Sequence, residues 1–366
     1  MVIVDVYKNE KRWFNFFVRS NGYPLSENPD ALVCFGLIPS IELGANLSVP
    51  YAVDQGLVKR SKEVQQLVAS WTPLCRPIAL SVDAEKPDAV PERANHAGPG
   101  LFYSGGVDSS YSLLMNQDLN RVLVSVIGCD VDLHEHEKIH SFRQMTTSIA
   151  EAFSQDLIFL ETDLPRKMQR FLGWIEYHGS ALAGLRHLLD QHITEMRIAS
   201  SVDQTGAWEI PWGSHPGIDP FLGTDRNPIH LDGLVLRFEK IEAISPHDLI
   251  LSHLRICYHG GKNCGICSKC VYTRWCLRVL GNRDESVRFG HPEMMPGPFH
   301  LIDDYLLRDA KLLFACANGN PQYSELCDSI CKSIRSYERY KIPRHFLMQF
   351  KNLYRLLRHR YRFAKV

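Results

Sequence analysis

The stretch Leu101-Phe-Tyr-Ser-Gly-Gly-Val-Asp-Ser-Ser110 constrains this chain more than any other. A strand over Leu101–Tyr103 is expected to end in Ser104, two glycines to turn the chain, and a helix to run from Asp108 to Met115. Glycines let a backbone approach phosphate closely, and a helix N-terminus adds about half a positive charge. Ser104 and Ser109 add hydroxyl donors. A Gly-Gly turn capped by Ser or Asp means little alone. The strand–turn–helix setting is what points to phosphate. No Gly-x4-Gly-Lys-Ser/Thr string accompanies it, which disfavours a loop of the γ-phosphate-cleaving type.

Strands and helices then alternate. Arg121–Gly128 is a β-branched run fit for a buried parallel strand, followed by a helix over about His134–Phe153 and a strand at Leu157–Leu160. A helix over about Ser180–Leu189 leads to a strand at Met196–Ala199. Such βα units predict an α/β fold, a doubly wound parallel sheet with helices on both faces. Ahead of it, Val2–Val18 reads as a β-hairpin around Tyr7–Arg12, mixed short elements continue to Pro77, and Glu85–Gly100 reads as a linker. The expected division is residues 1–95 as an N-terminal β-containing region whose role is not legible, 96–255 as the phosphate-loop domain, 256–300 as a cysteine-rich segment, and 301–366 as a helical basic region.

Of eleven cysteines, Cys257, Cys264, Cys267 and Cys270 crowd together as Cys-x6-Cys-x2-Cys-x2-Cys. The start of the chain has no basic-then-apolar export pattern, so metal or thiol chemistry is expected before a disulfide framework, and a cytoplasmic location with it. Four thiolates in a turn-rich loop suit tetrahedral Zn²⁺, with Gly260, Gly261 and Gly265 allowing the turns. An iron–sulfur cluster is the alternative. No run reaches the roughly 18 apolar residues of a membrane span. The 41 basic and 41 acidic residues balance, but Arg335–Lys365 holds ten Lys/Arg against one acid, so the tail carries about +9.

Ser104-Gly-Gly-Val-Asp-Ser109 resembles the signature of the PP-loop ATP pyrophosphatases, the adenine nucleotide alpha-hydrolase-like superfamily. Cys257-Tyr…Cys264-Gly-Ile-Cys267-Ser-Lys-Cys270 followed by Arg274 narrows the likeness to the 7-cyano-7-deazaguanine synthases, over about Gly98 to Gly281. The resemblance implies an ATP-dependent ligase that adenylates a carboxylate- or amide-type acceptor, releases pyrophosphate and AMP, and lets ammonia or an amine attack. It implies that Ser104, Gly105, Gly106, Val107, Asp108 and Ser109 hold phosphate and Mg²⁺, that Ile127 and Gly128 lie near adenine, and that the four cysteines bind zinc. Ser104, Asp108, Lys240 in Phe238-Glu-Lys-Ile-Glu, and Arg274 are the implied catalytic groups. The family's substrate loop is replaced here by Val202–Pro220, which leaves the acceptor open, and the long ends at residues 1–95 and 301–366 are extra. Expected partners are ATP, a small-molecule or peptide acceptor, an ammonia or amine donor, and a second copy as a homodimer; no membrane is expected. Two other readings stand beside this one. One is sulfur transfer through Cys129 or Cys276, the other a nucleotide-binding protein without turnover.

Weaker candidates have blander alternatives. His215 and Asp219 could orient an acceptor or belong to a loop stiffened by Pro211, Pro216 and Pro220. His136-Glu-Lys-Ile-His140 spells His-Glu-x-x-His, but its setting suits the polar first turns of a helix. Asp130 and Asp132 are placed for ribose or Mg²⁺, whereas His178 is more often a packed histidine. In the tail, Phe346, Phe350, Leu353 and Leu357 have helical spacing beside Lys351, Arg355, Arg358 and Arg362. That is a surface for RNA or an acidic protein, or, more simply, an amphipathic helix docked on the chain's own net-acidic body.

Overall fold

The hairpin pairs β1 (Val2–Lys8) with β2 (Lys11–Ser20), and Asn9 and Glu10 close it with φ of 48° and 66°. A two-residue loop with both φ positive matches the twist of the strands it joins. The structure is a computed structural model and describes all residues except 73, 87–92, 94–96, 120, 210, 258–262, 282, 291–300 and 366. Most of the expected linker and Gly260 and Gly261 of the cysteine loop therefore lie outside the described residues.

After the hairpin come α1 (Asp30–Leu43), β3 (Leu47–Asp54), α2 (Gln55–Ser70) and β4 (Leu80–Lys86). The alternating section comes next: β5 (Gly98–Phe102), α3 (Val107–Met115), β6 (Val122–Ile127), α4 (His136–Ala152), β7 (Asp156–Thr162), α5 (Leu164–Met168), α6 (Trp174–Leu188), β8 (Ile193–Ala199), α7 (Gln204–Glu209) and β9 (Ile229–Asp232). Helices complete the chain: α8 (Arg237–Ile244), α9 (Asp248–His253), α10 (Ser268–Val279), α11 (Asp304–Ala317) and α12 (Ser324–Ala364). None is long and apolar enough to cross a membrane among the described residues.

The central sheet runs β1-β2-β7-β6-β5-β8-β9. Strands β5 to β9 are mutually parallel, while β2 joins β7 antiparallel. From β5 the chain builds outward through β6 and β7, then returns to the other side for β8 and β9. The crevice beyond the carboxyl ends of β5 and β8 is thus the place where strand order reverses, the usual ligand position in open parallel sheets. Strand β6 is buried throughout, and its period of two splits it between two cores. Val122, Val124 and Val126 face one core with α1 and α6; Leu123 and Ile127 face the other with α3, α4, α8 and α10.

The N-terminal region does not stand apart as the expected boundary near residue 95 suggested. Strand β2 covers the free edge of β7, and α1 packs against α6 within the first core. Helix α1 is apolar nearly all round, with Ala31, Val33, Leu37, Ile38 and Ile41 fully buried, so it needs cover on every side. Strands β3 and β4 form a separate parallel pair. The local pattern does not announce α1, because a helix buried nearly all round has no polar face to mark its period.

Candidate functional site

The loop between β5 and α3 has the expected form. Gly105 takes φ of 73°, open to glycine, and a side chain there would run into Met145. Gly106 precedes the first turn of α3, and Ser104 Oγ lies 3.3 Å from both Ser109 Oγ and the Gly106 amide, which donates to it. Val107 is buried in the second core and anchors the helix start. The loop therefore offers two hydroxyls and the amides of a helix N-terminus at the carboxyl end of a central strand, an arrangement suited to an oxyanion.

Three chain segments meet at Asp108. Lys240 of α8, fully buried, donates from Nζ to Asp108 Oδ1 at 2.9 Å and to the Ser200 carbonyl at 2.5 Å. Ser200 directly follows β8, so this lysine spans the crevice at which strand order reverses. Arg237, one turn earlier on α8, brings Nη1 to 3.6 Å from Asp108 Oδ2. Burial alone would raise the Asp108 carboxyl, but Lys240 and then Arg237 outweigh it and hold the pKa below its ordinary value. Asp309 sits behind them, fully buried, accepting from the Phe238 amide at 2.9 Å; burial pushes its pKa up to about 6.

Arg255 braces the loop from below. Its amide donates to Gly105 O at 2.8 Å, its guanidinium to Ser104 O at 2.8 Å and Asp130 O at 2.9 Å, and it lies over the Phe142 ring. It stands two residues before Cys257, so the cysteine loop and the Ser104–Ser109 loop share one strut. Sequence reading missed Arg237, Asp309 and Arg255. Only Arg237 left a signal, its i, i+3 spacing from Lys240.

The four cysteines come together. Their sulfurs lie within 4.8 Å of one another, with Cys264 Sγ 4.0 Å from Cys270 Sγ and Cys267 Sγ 3.9 Å from Cys257 Sγ. Four thiolates bonded at about 2.3 Å to one tetrahedral ion stand about 3.8 Å apart, so the residues fit a single ion. Desolvation opposes a thiolate at Cys264, but the amides of Ile266 and Cys267 favour it and its pKa falls to about 6. Among the described residues this is the one group of three or more His, Cys, Asp or Glu side chains so gathered. His136 and His140 are both exposed on α4 and belong to no such group.

The other expected residues have packing or hydrogen-bonding surroundings of their own. Ile127 is fully buried, leaving only its backbone to face a ligand, and Gly128 takes φ of 102° where a Cβ would overlap the Thr162 carbonyl. Arg274 is buried on α10 with Asp284 at 3.8 Å and the Phe289 ring, neither of which belongs to the loop. Asp130 is pushed up to about 6 by burial, with Arg255 opposing, and Asp132 is exposed and accepts from the His134 amide. His215 is buried against Trp208 and Trp71, and Asp219, pushed up to about 7 by burial, accepts from Ser214 Oγ. Burial lowers His178 and His215 to about 4, so both stay neutral near pH 7.

No family model, curated protein or solved structure matches this chain.

Proposed function

We propose that this chain is an ATP-dependent, AMP-releasing ligase of the PP-loop type, similar to the 7-cyano-7-deazaguanine synthases, with a structural zinc in its cysteine cluster. The observation that carries the reading is the position of Ser104–Ser109 at the carboxyl end of β5, facing Lys240 and Arg237 across the crevice beside β8. The 3-2-1-4-5 order of the five parallel strands supports a doubly wound fold with its ligand there. Ser104, Ser109 and the α3 amides would grip the pyrophosphate end of ATP, and Lys240 and Arg237 would offset charge as pyrophosphate departs. Mg²⁺ arriving with ATP would share that neutralising role, Asp108 being the loop carboxylate able to hold it. Adenylation makes an acceptor oxygen a leaving group, which ammonia or an amine displaces.

Sulfur transfer finds less support. Burial raises the thiols of Cys129 and Cys276 well above their ordinary pKa, the reverse of an activated thiolate.

The test incubates the full chain with ATP, Mg²⁺, ammonium and 7-carboxy-7-deazaguanine and resolves nucleotides and deazaguanine masses together. AMP with an amide or nitrile product is expected. AMP with the acid unchanged would move the acceptor elsewhere, ADP would overturn the adenylation chemistry, and tight ATP binding without AMP would favour a nucleotide-binding role.

A further inference from the structure

Helix α12 reverses the expected arrangement of its faces. Its C-terminal half does dock on the body. Leu356 is buried, Arg355 pairs with Glu176 on α6, Arg360 donates to the Glu42 carbonyl at the end of α1, and Phe363 meets Trp13 at 5.0 Å between ring centroids. The apolar stripe, however, faces away. Tyr340, Leu347, Tyr354 and Tyr361 recur every seven residues, with Phe350 and Leu357 three after the second and third, and all six are between 49% and 68% exposed. From Glu338 to Asn352 every described side chain is exposed. Spacing of seven split three and four is the seam by which one helix packs along another. At half to two-thirds exposure, these side chains offer on the order of 800 Å², one partner's share of a standard interface.

We infer that this face of α12 is a docking seam for an amphipathic helix of a partner protein, apolar along its own seam and acidic along its flanks. Charge decides the occupant. Lys351 and Arg358, one heptad apart and exposed, flank the seam, and the tail around them carries about +9. Two copies of this chain would bring two such tails together, whereas glutamates on the flank of a partner helix would pair with them. The inference is independent of the nucleotide reading, since the seam shares no residue with the phosphate loop.

The probe is a labelled synthetic helix of about three heptads, leucine on its seam and glutamate on its flanks, with a lysine-flanked twin. Fluorescence anisotropy with the full chain is expected to show binding of the glutamate helix and at least roughly tenfold weaker binding of the twin. Salt should weaken the complex. The double variant Phe350→Asp, Tyr354→Asp should lose at least about tenfold in affinity while its melting temperature stays put, because both side chains are two-thirds exposed. Equal binding of the two peptides, or none, overturns the inference. So does self-association in sedimentation that the double variant abolishes, which would assign the face to a second copy. Displacement of the acidic helix by a polyuridine strand would overturn it in favour of RNA.

Discussion

At the scale of single residues, the site rests on an unequal pair. Lys240 has no exposure, whereas the Asp108 side chain keeps 22% of its surface in solvent. Removing the carboxylate strands a buried ammonium with one carbonyl; removing the ammonium leaves a carboxylate that water and Arg237 can still reach. Asp108→Ala should therefore cost roughly 3 kcal/mol of stability, the low end for an orphaned buried charge, and Lys240→Met only about 1 kcal/mol. Urea unfolding of both variants checks this, and a costlier Lys240→Met would sink the burial argument. The Asp108 pKa is depressed in the folded state, so its contribution is complete above the ordinary carboxylate range and is lost as pH falls through the lowered value. Gly128 makes a sharper case. With φ of 102° and no room beside Thr162, Gly128→Ala should destabilise by about 3 kcal/mol or more in the same assay, or prevent folding.

At the scale of elements, the Ser104–Ser109 loop is held by the segment between α9 and the cysteine cluster as much as by β5 and α3. Arg255 ties the loop backbone to that segment, so the cluster's order passes through two residues to Ser104 and Gly105. On the proposed reading, chelation should release about one equivalent of zinc and weaken ATP binding together. Arg255→Leu should weaken ATP binding with the metal retained. Elemental analysis alongside calorimetry of ATP binding separates the two. Full ATP affinity after complete metal loss would show that the strut does not depend on the cluster. The cysteine spacing alone announced the cluster, because its ligands lie within fourteen residues and local turns bring them together. Nothing local announced the strut.

At the scale of the whole molecule, Arg360 of α12 donates to backbone carbonyls at the end of α1, beside the buried acid Glu42. Burial raises the Glu42 carboxyl to about 7, with Arg355 opposing and Glu176 adding to the rise. A carboxyl whose folded pKa is raised holds its proton longer in the folded state. Its contribution is thus full below the unfolded value of 4.5 and is lost as pH climbs to about 7, at most about 3 kcal/mol. His215 and His359, lowered to about 4, work in the opposite direction, so the comparison must be with a variant. Glu42→Gln should be more stable relative to the parent chain at pH 8 than at pH 5. Thermal unfolding at both values checks it, and a pH-independent difference would deny Glu42 that role.

What the sequence determined by itself is whatever neighbours along the chain can settle. Ser104–Ser109 needs only a strand, two glycines and a helix start. The alternating runs from Gly98 to Ala199 declare themselves through local patterning, short apolar runs for the strands and amphipathic period for the helices. The hairpin at the N-terminus was legible for the same reason. Only the tertiary structure decided that β2 covers the edge of β7, that Lys240 and Arg237 converge on Asp108, that Arg255 supports the loop, and that α12 buries Leu356 while Phe350 faces solvent. Each of those depends on which of two compatible surfaces a segment meets, and pairing across more than a hundred residues leaves no mark in the local pattern. A periodic stripe of apolar residues says that a helix has a face to cover, not what covers it.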